Sequence, residues 1–187
     1  MELITTIEVN EVLRTRRLRD GFSEDIVRDH VREFFTQQGQ PDTTRIGDKE
    51  LLRAHWVFRP IEDIMKVFRD TKVKGYVEKY REGLLKLINV ASRMSVTPDL
   101  ALLRATYVFR YYGQQKALIP EECSCDIALV EVKRGKAKLN SNQKEDVKIA
   151  EKEGIPYYLI RVDDSGFLDG RFLLECQKLT TCAFPTS

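Results

Sequence analysis

The chain lacks a long apolar run, a glycine-rich phosphate fingerprint, an internal repeat and any large excess of one charge. Each gap narrows the classes of protein it can be. No apolar stretch approaches the roughly 20 residues that a membrane-spanning helix needs. The opening MELITTIEVNEV is too polar for the apolar centre of a signal peptide, so a cytosolic protein is expected. Without a glycine-rich loop, a dinucleotide-type fold would have no usual phosphate cradle. Lys plus Arg number 31 against 29 Asp plus Glu, so net charge alone does not announce a nucleic-acid binder. The four cysteines, Cys123, Cys125, Cys176 and Cys182, have C-x-C and C-x5-C spacings. Neither is a zinc spacing, and buried or incidental thiols are the expectation. His30 falls on or beside an apolar helix face, as a satisfied core histidine does.

What is present describes one well-buried core: 187 residues, 42% apolar and 32% charged. Residues 3–9 suit a short strand. A helix opens at Ser23, with acids in its first turn, and runs through SEDIVRDHVREFFTQQG until Gly39 and Pro41 stop it. Residues 48 to 95 are read as helices: DKELLRAHWVFR, PIEDIMKVFRD and VKGYVEKYREGLLKLINVASRM. TPDLALLRATYVFRYYG follows, with Thr97 as N-cap, Pro98 at the first helical position and Leu100, Leu103, Tyr107 and Tyr111 on one face. Its end is also rich in strand formers.

After Gly113 the pattern changes. QQKALIP suits a short strand and CDIALVEVK is the clearest strand of the chain. NSNQKEDVKIAEKEG is a capped helix ending at Gly154, IPYYLIRVD is a second strong strand, and the tail is a turn plus a short element. Strand, helix, strand predicts a crossover within a mixed β-sheet. The whole reads as a single α/β domain, with a helical insertion at about 45–97 and a core motif at 114–162.

The chemistry concentrates in CSCDIALVEVKRGKAKLNSNQKE, Cys123 to Glu145. Glu131 and Lys133 are two apart on a strand, so they leave the same face, with Ile127 and Leu129. An acid and a base side by side on a buried strand require a reason, because burying charge is costly. Metal-assisted hydrolysis supplies one: Glu131 would hold a hard cation and Lys133 would steady a water and offset charge on a phosphate. A bare E-x-K is common, and the residues after it add the context.

Glu131-Val-Lys133, then Leu139-Asn-Ser-Asn-Gln143, then Gly154 and the strand Tyr157 to Val162, resembles the PD-(D/E)xK nuclease superfamily. Holliday-junction resolvases, restriction enzymes and VRR-type nucleases belong to it. The resemblance implies a restriction-endonuclease-like fold, a mixed central sheet flanked by helices, and a magnesium- or manganese-dependent nuclease acting on DNA. Resolvase-like action on branched DNA and a homodimer are further expectations that the resemblance raises. Gln143 would help place the water or phosphate, although Asn140 and Gln143 also have capping-box spacing. Glu24 matches an acid of the opening helix that reaches the metal.

The family also needs the Asp of its PD element. Asp126 directly abuts the strand and is taken as that metal ligand. It lies five residues before Glu131, roughly 16–17 Å away and on the opposite face of a straight strand, so it serves only if the strand is bent or bulged. Asp99, in a literal Pro-Asp, is read as part of a helix start. Glu121 and Glu122 are further candidates. Arg134, Lys136 and Lys138 after the strand, with Arg16 and Arg17 near the N-terminus, would grip the DNA backbone. Alternatively they form a solvated, salt-bridged surface. A catalytically inactive DNA-binding or assembly protein that retains the nuclease fold is the alternative function.

Overall fold

The structure is a computed structural model that describes residues 2–8, 22–37, 43–58 and 74–182. Arg16, Arg17 and the segment PIEDIMKVFRD lie outside the described residues. The elements are β1 (Glu2–Glu8), α1 (Phe22–Gln37), β2 (Thr43–Ile46), β3 (Lys49–Phe58), α2 (Lys74–Ala91), β4 (Leu100–Tyr112), β5 (Gln115–Lys116), β6 (Glu122–Arg134), α3 (Ser141–Lys152), β7 (Tyr157–Asp163) and β8 (Arg171–Lys178). They build an α/β domain around a mixed sheet in the order β1-β8-β7-β6-β4-β3-β2, with the short β5 beside β4. Only β6 and β7 pair in parallel, and α3 joins them. That is the crossover expected from strand, helix, strand. Gly154, at φ +66°, ends α3 in the left-handed conformation that glycine adopts without strain. Among the described residues no helix is long and apolar enough to cross a membrane.

Alternation along the central strands sorts the core into two layers. Ala128, Val130 and Val132 of β6, with Leu100 and Leu102 of β4, pack with Ile26 and Val27 of α1. Ile127 and Leu129, with Ala101, Leu103, Ala105 and Tyr107, pack with Leu84, Leu87 and Val90 of α2 and Ala150 of α3. Glu131 has the parity of the second layer. His30 Nδ1 lies 2.9 Å from the Ile26 carbonyl, so the imidazole is satisfied within its own helix. Helix α1 begins at Phe22, which places Ser23 inside its first turn rather than at the cap.

Two expected helices are strands. DKELLRAHWVFR forms β3, paired with β2 through a turn at Gly47 and Asp48 and with β4 along its whole length. Among the described residues from 45 onward, the helical reading holds for α2. LALLRATYVFRYY is β4, not a helix begun by Thr97 and Pro98. For β4 the cause is its place between β3 and β6: Leu100 to Tyr107 is buried on both faces, and a run that is apolar on both faces except at Arg104 and Thr106 can be threaded equally well by a helical period. Leu100, Leu103 and Tyr107 looked like one helix face, yet Leu100 faces α1 and the other two face α2 and α3.

Helix α2 lies close on β6. A Cβ built at Gly83 would sit 2.5 Å from Cys125 Sγ and 3.1 Å from its Cβ. Alanine in a helix is favoured over glycine by about 1 kcal/mol, yet the overlap outweighs that gain. Gly83→Ala is expected to destabilise the protein by on the order of 1 kcal/mol in urea unfolding. Cys125→Ala in the same chain is expected to recover most of the loss.

Candidate active site

The site forms where β4 stops and β6 continues. The antiparallel register runs without interruption from Val108↔Glu122 to Leu100↔Val130. Carried one residue further, it sets Asp99 opposite Glu131. The backbone N–H of Val132 has no β4 carbonyl to meet there, and Asp99 Oδ2 accepts it instead at 2.7 Å. The charge of the same carboxyl raises the Glu131 pKa. The literal Pro-Asp of the sequence thus lies opposite Glu131.

Glu131 is 1% exposed, and its side chain is held from several directions. Lys133 Nζ donates to Oε1 at 2.6 Å. Gln143 Nε2 donates to the same oxygen, and the Tyr157 hydroxyl lies 3.4 Å from Oε2. Burial pushes the Glu131 carboxyl up from 4.5 to about 7. The Lys133 hydrogen bond opposes that rise, and the charge of Asp99 adds to it. Tyr157 is pushed upward by burial and then by the charges of Glu131, Asp146 and Asp99, so it stays a protonated donor.

Helix α3 braces both acids. Asn140 and Gln143 form a capping box: Asn140 Oδ1 accepts the Gln143 N–H at 2.8 Å and Gln143 Oε1 accepts the Asn140 N–H at 3.0 Å. Both ends of the Gln143 amide are therefore engaged, and its place is to hold Glu131 rather than to face a water. Asp146, three residues on and 0% exposed, accepts the backbone N–H groups of Ser95 at 2.8 Å and Val96 at 3.0 Å. This pins the segment that leads through buried Pro98 into Asp99.

The other sequence candidates lie elsewhere. Asp126 faces the α1 side, where its carboxylate is bound by Arg104 at 2.8 Å. With an unbroken ladder through β6, nothing bends it toward Glu131. Its selection as the second acid is corrected by this placement: chain adjacency stood in for spatial adjacency. Glu121 and Glu122 are at the far end of β6, roughly 30 Å from Glu131 at strand rise. Glu24 rides on α1, whose Ile26 and Val27 pack on the face opposite to Glu131. Arg134 is bound to Asp164, with Nε at 2.9 Å. Lys136 and Lys138 line an open cavity beside β7. Tyr157 and Asp146 were not singled out from sequence. The spacing of Asp146 three residues after Gln143, on the same helix face, was the signal available for it.

Asp99, half-buried just before β4, and Glu131, buried on β6, are the two carboxylates here that could hold a hard divalent cation. Magnesium commonly takes one or two protein carboxylates and keeps several waters. Among the described residues no group of three or more His, Cys, Asp or Glu side chains is arranged for a metal. A cation would also offset the repulsion that burial imposes on these two acids.

The raised Glu131 value sets a pH dependence. Between 4.5 and about 7 the folded protein keeps a proton that the unfolded chain has released, so stability without metal falls as pH rises through that window. Glu131→Gln removes the effect. In chelator its melting temperature is expected to match the native protein near pH 4.5 and to exceed it above pH 7 in calorimetry. Parallel curves would remove the buried charge from the account. For Asp146→Asn, an amide donor is set against a backbone donor. Exchange of the Ser95 and Val96 amides is expected to speed up, and Mn2+ affinity to fall about tenfold. Faster exchange with unchanged affinity would confine Asp146 to the fold.

No family model, curated protein or solved structure matches the chain.

Proposed function

We propose that the protein is a metal-dependent nuclease with a restriction-endonuclease-like core of the PD-(D/E)xK type, hydrolysing phosphodiester bonds in DNA. The observation that carries this reading is that Asp99, bound to the Val132 N–H, lies opposite Glu131 in the β4–β6 register, with Lys133 paired to Glu131, at one end of the central strands. Pro98-Asp99 and Glu131-Val132-Lys133 then stand in the two motif positions that the resemblance requires.

In this reading Asp99 and Glu131 would hold magnesium or manganese, which would supply Lewis-acid chemistry to the hydrolysis. Glu131 must be ionised to do so, and Lys133 and Gln143 hold its Oε1 in place. Lys133, 19% exposed, has its ammonium at the edge of the pocket, where it can meet a phosphate oxygen and offset the charge that grows on it during attack. Tyr157 stays protonated and keeps Glu131 Oε2 oriented. Asp126 has no part in the chemistry and serves the sheet through Arg104.

The test is cleavage of supercoiled, linear and branched DNA with Mg2+ or Mn2+. Asp99→Ala, Glu131→Ala and Lys133→Ala are each expected to lower the rate at least about 100-fold. Asp126→Ala is expected to cost about 2 kcal/mol of stability through its pair with Arg104 and to cleave within a few-fold of the native rate below its melting temperature. At subsaturating metal, where protons compete with the cation for Glu131, the rate should climb as pH rises toward about 7. Cleavage that survives loss of both Asp99 and Glu131 would overturn the assignment. DNA binding without cleavage, indifferent to metal, would mark the non-catalytic alternative.

A further inference from the structure

The cavity beside the site has a construction of its own. Its volume is about 560 Å³, and Lys136, Lys138, Arg161, Asp163 and Glu175 line it. That is within the range of ligand-sized clefts. It begins one strand away from the proposed catalytic lysine, because Lys133 of β6 pairs with Arg161 of β7 in parallel register and both side chains leave the same face.

The loop that carries its lysines is fixed. Gly135, at φ +56°, turns the chain as β6 ends, and its N–H donates to the Val162 carbonyl at 2.9 Å. Arg161 Nη1 donates to the carbonyls of Gly135 at 3.0 Å and Ala137 at 2.7 Å. The guanidinium therefore ties down both residues that flank Lys136, while Lys136 and Lys138 remain exposed. Of the two acids in the lining, Asp163 accepts the Ser165 N–H at 3.0 Å and Glu175 pairs in register with Arg161. Three cations against two carboxylates leave the cavity positive.

We propose that this cavity is a subsite for the phosphate next to the cleaved one, so that the protein engages a polynucleotide strand through at least two successive phosphates. The inference rests on the nuclease reading for which phosphate is cleaved. The spacing supports it. Neighbouring strands are about 4.8 Å apart, so Arg161 and the loop it braces begin one strand spacing from Lys133. A nucleic-acid strand whose scissile phosphate meets Lys133 and that runs on toward β7 brings its next phosphate to Arg161 and the braced loop.

The test compares native protein with Lys136→Gln/Lys138→Gln, and with Lys148→Gln as a control on the exposed face of α3. Binding of a fluorescent single-stranded DNA oligonucleotide is read by anisotropy over a range of salt in Ca2+. Cleavage of bis(4-nitrophenyl) phosphate in Mn2+ reads the site with a single-phosphate ester. The double variant is expected to bind the oligonucleotide about tenfold more weakly at low salt. The slope of log K against log salt should shrink by about 0.7, one single-strand phosphate, while cleavage of the small ester is unchanged. The control should match native protein in both assays. An unchanged slope and affinity in the double variant would overturn the subsite and leave the nuclease reading intact. Weakened binding in the double variant, beside a native protein that cleaves neither substrate, would keep the cavity as a phosphate-binding site and defeat the nuclease reading.

Discussion

The pairing of β4 with β6 is the constraint on which the site depends. Its register ends at Leu100↔Val130, one residue short of Glu131, and the strand that stops there leaves a backbone donor to be met. Asp99 meets it with a side-chain oxygen. The acid is therefore placed by the hydrogen-bonding demand of the sheet itself. Moving the register by two residues would keep every side chain on its proper face and still separate the two carboxylates by a further strand step. Preserving the core is thus not enough; the registration itself must be preserved.

Burial of Glu131 works in the opposite direction to stability. A carboxyl at 1% exposure, beside another acid, is a poor local choice where Val or Ile would pack. The surrounding residues answer that penalty with directed donors: an ammonium, an amide and a phenol. None of these removes the preference for a proton, which stays near neutrality. A group of this kind responds to whatever positive charge enters the pocket, and that responsiveness is a common mark of working sites.

Local periodicity made the second half of the molecule legible. Glu131 and Lys133 share a face because a strand alternates, and the helix and strand after them were bounded by Asn140, Gln143 and Gly154, residues whose capping and turning roles are local. Asp99 was harder to place. Thr-Pro-Asp is a good helix opening, and Leu100 to Tyr111 offered apolar residues at helical intervals. The deciding fact, β3 on one side of β4 and β6 on the other, is non-local and leaves no trace in the period. Asp126 was favoured for its nearness in the chain, although strand geometry already put it on the wrong face. Asp146 and Tyr157 were passed over because each matters only through a partner: the Ser95–Val96 backbone in one case, Glu131 in the other.

One face of helix α3 contacts Glu131 through Gln143 and the segment before Asp99 through Asp146. The two carboxylates are over thirty residues apart in the chain, yet less than one turn of a single helix connects their supports. Thermal shear between β4 and β6 must then carry α3 with it or break a buried hydrogen bond. The gap between the acids is in this sense clamped rather than sprung, and fluctuations of the sheet move the pair together instead of opening it.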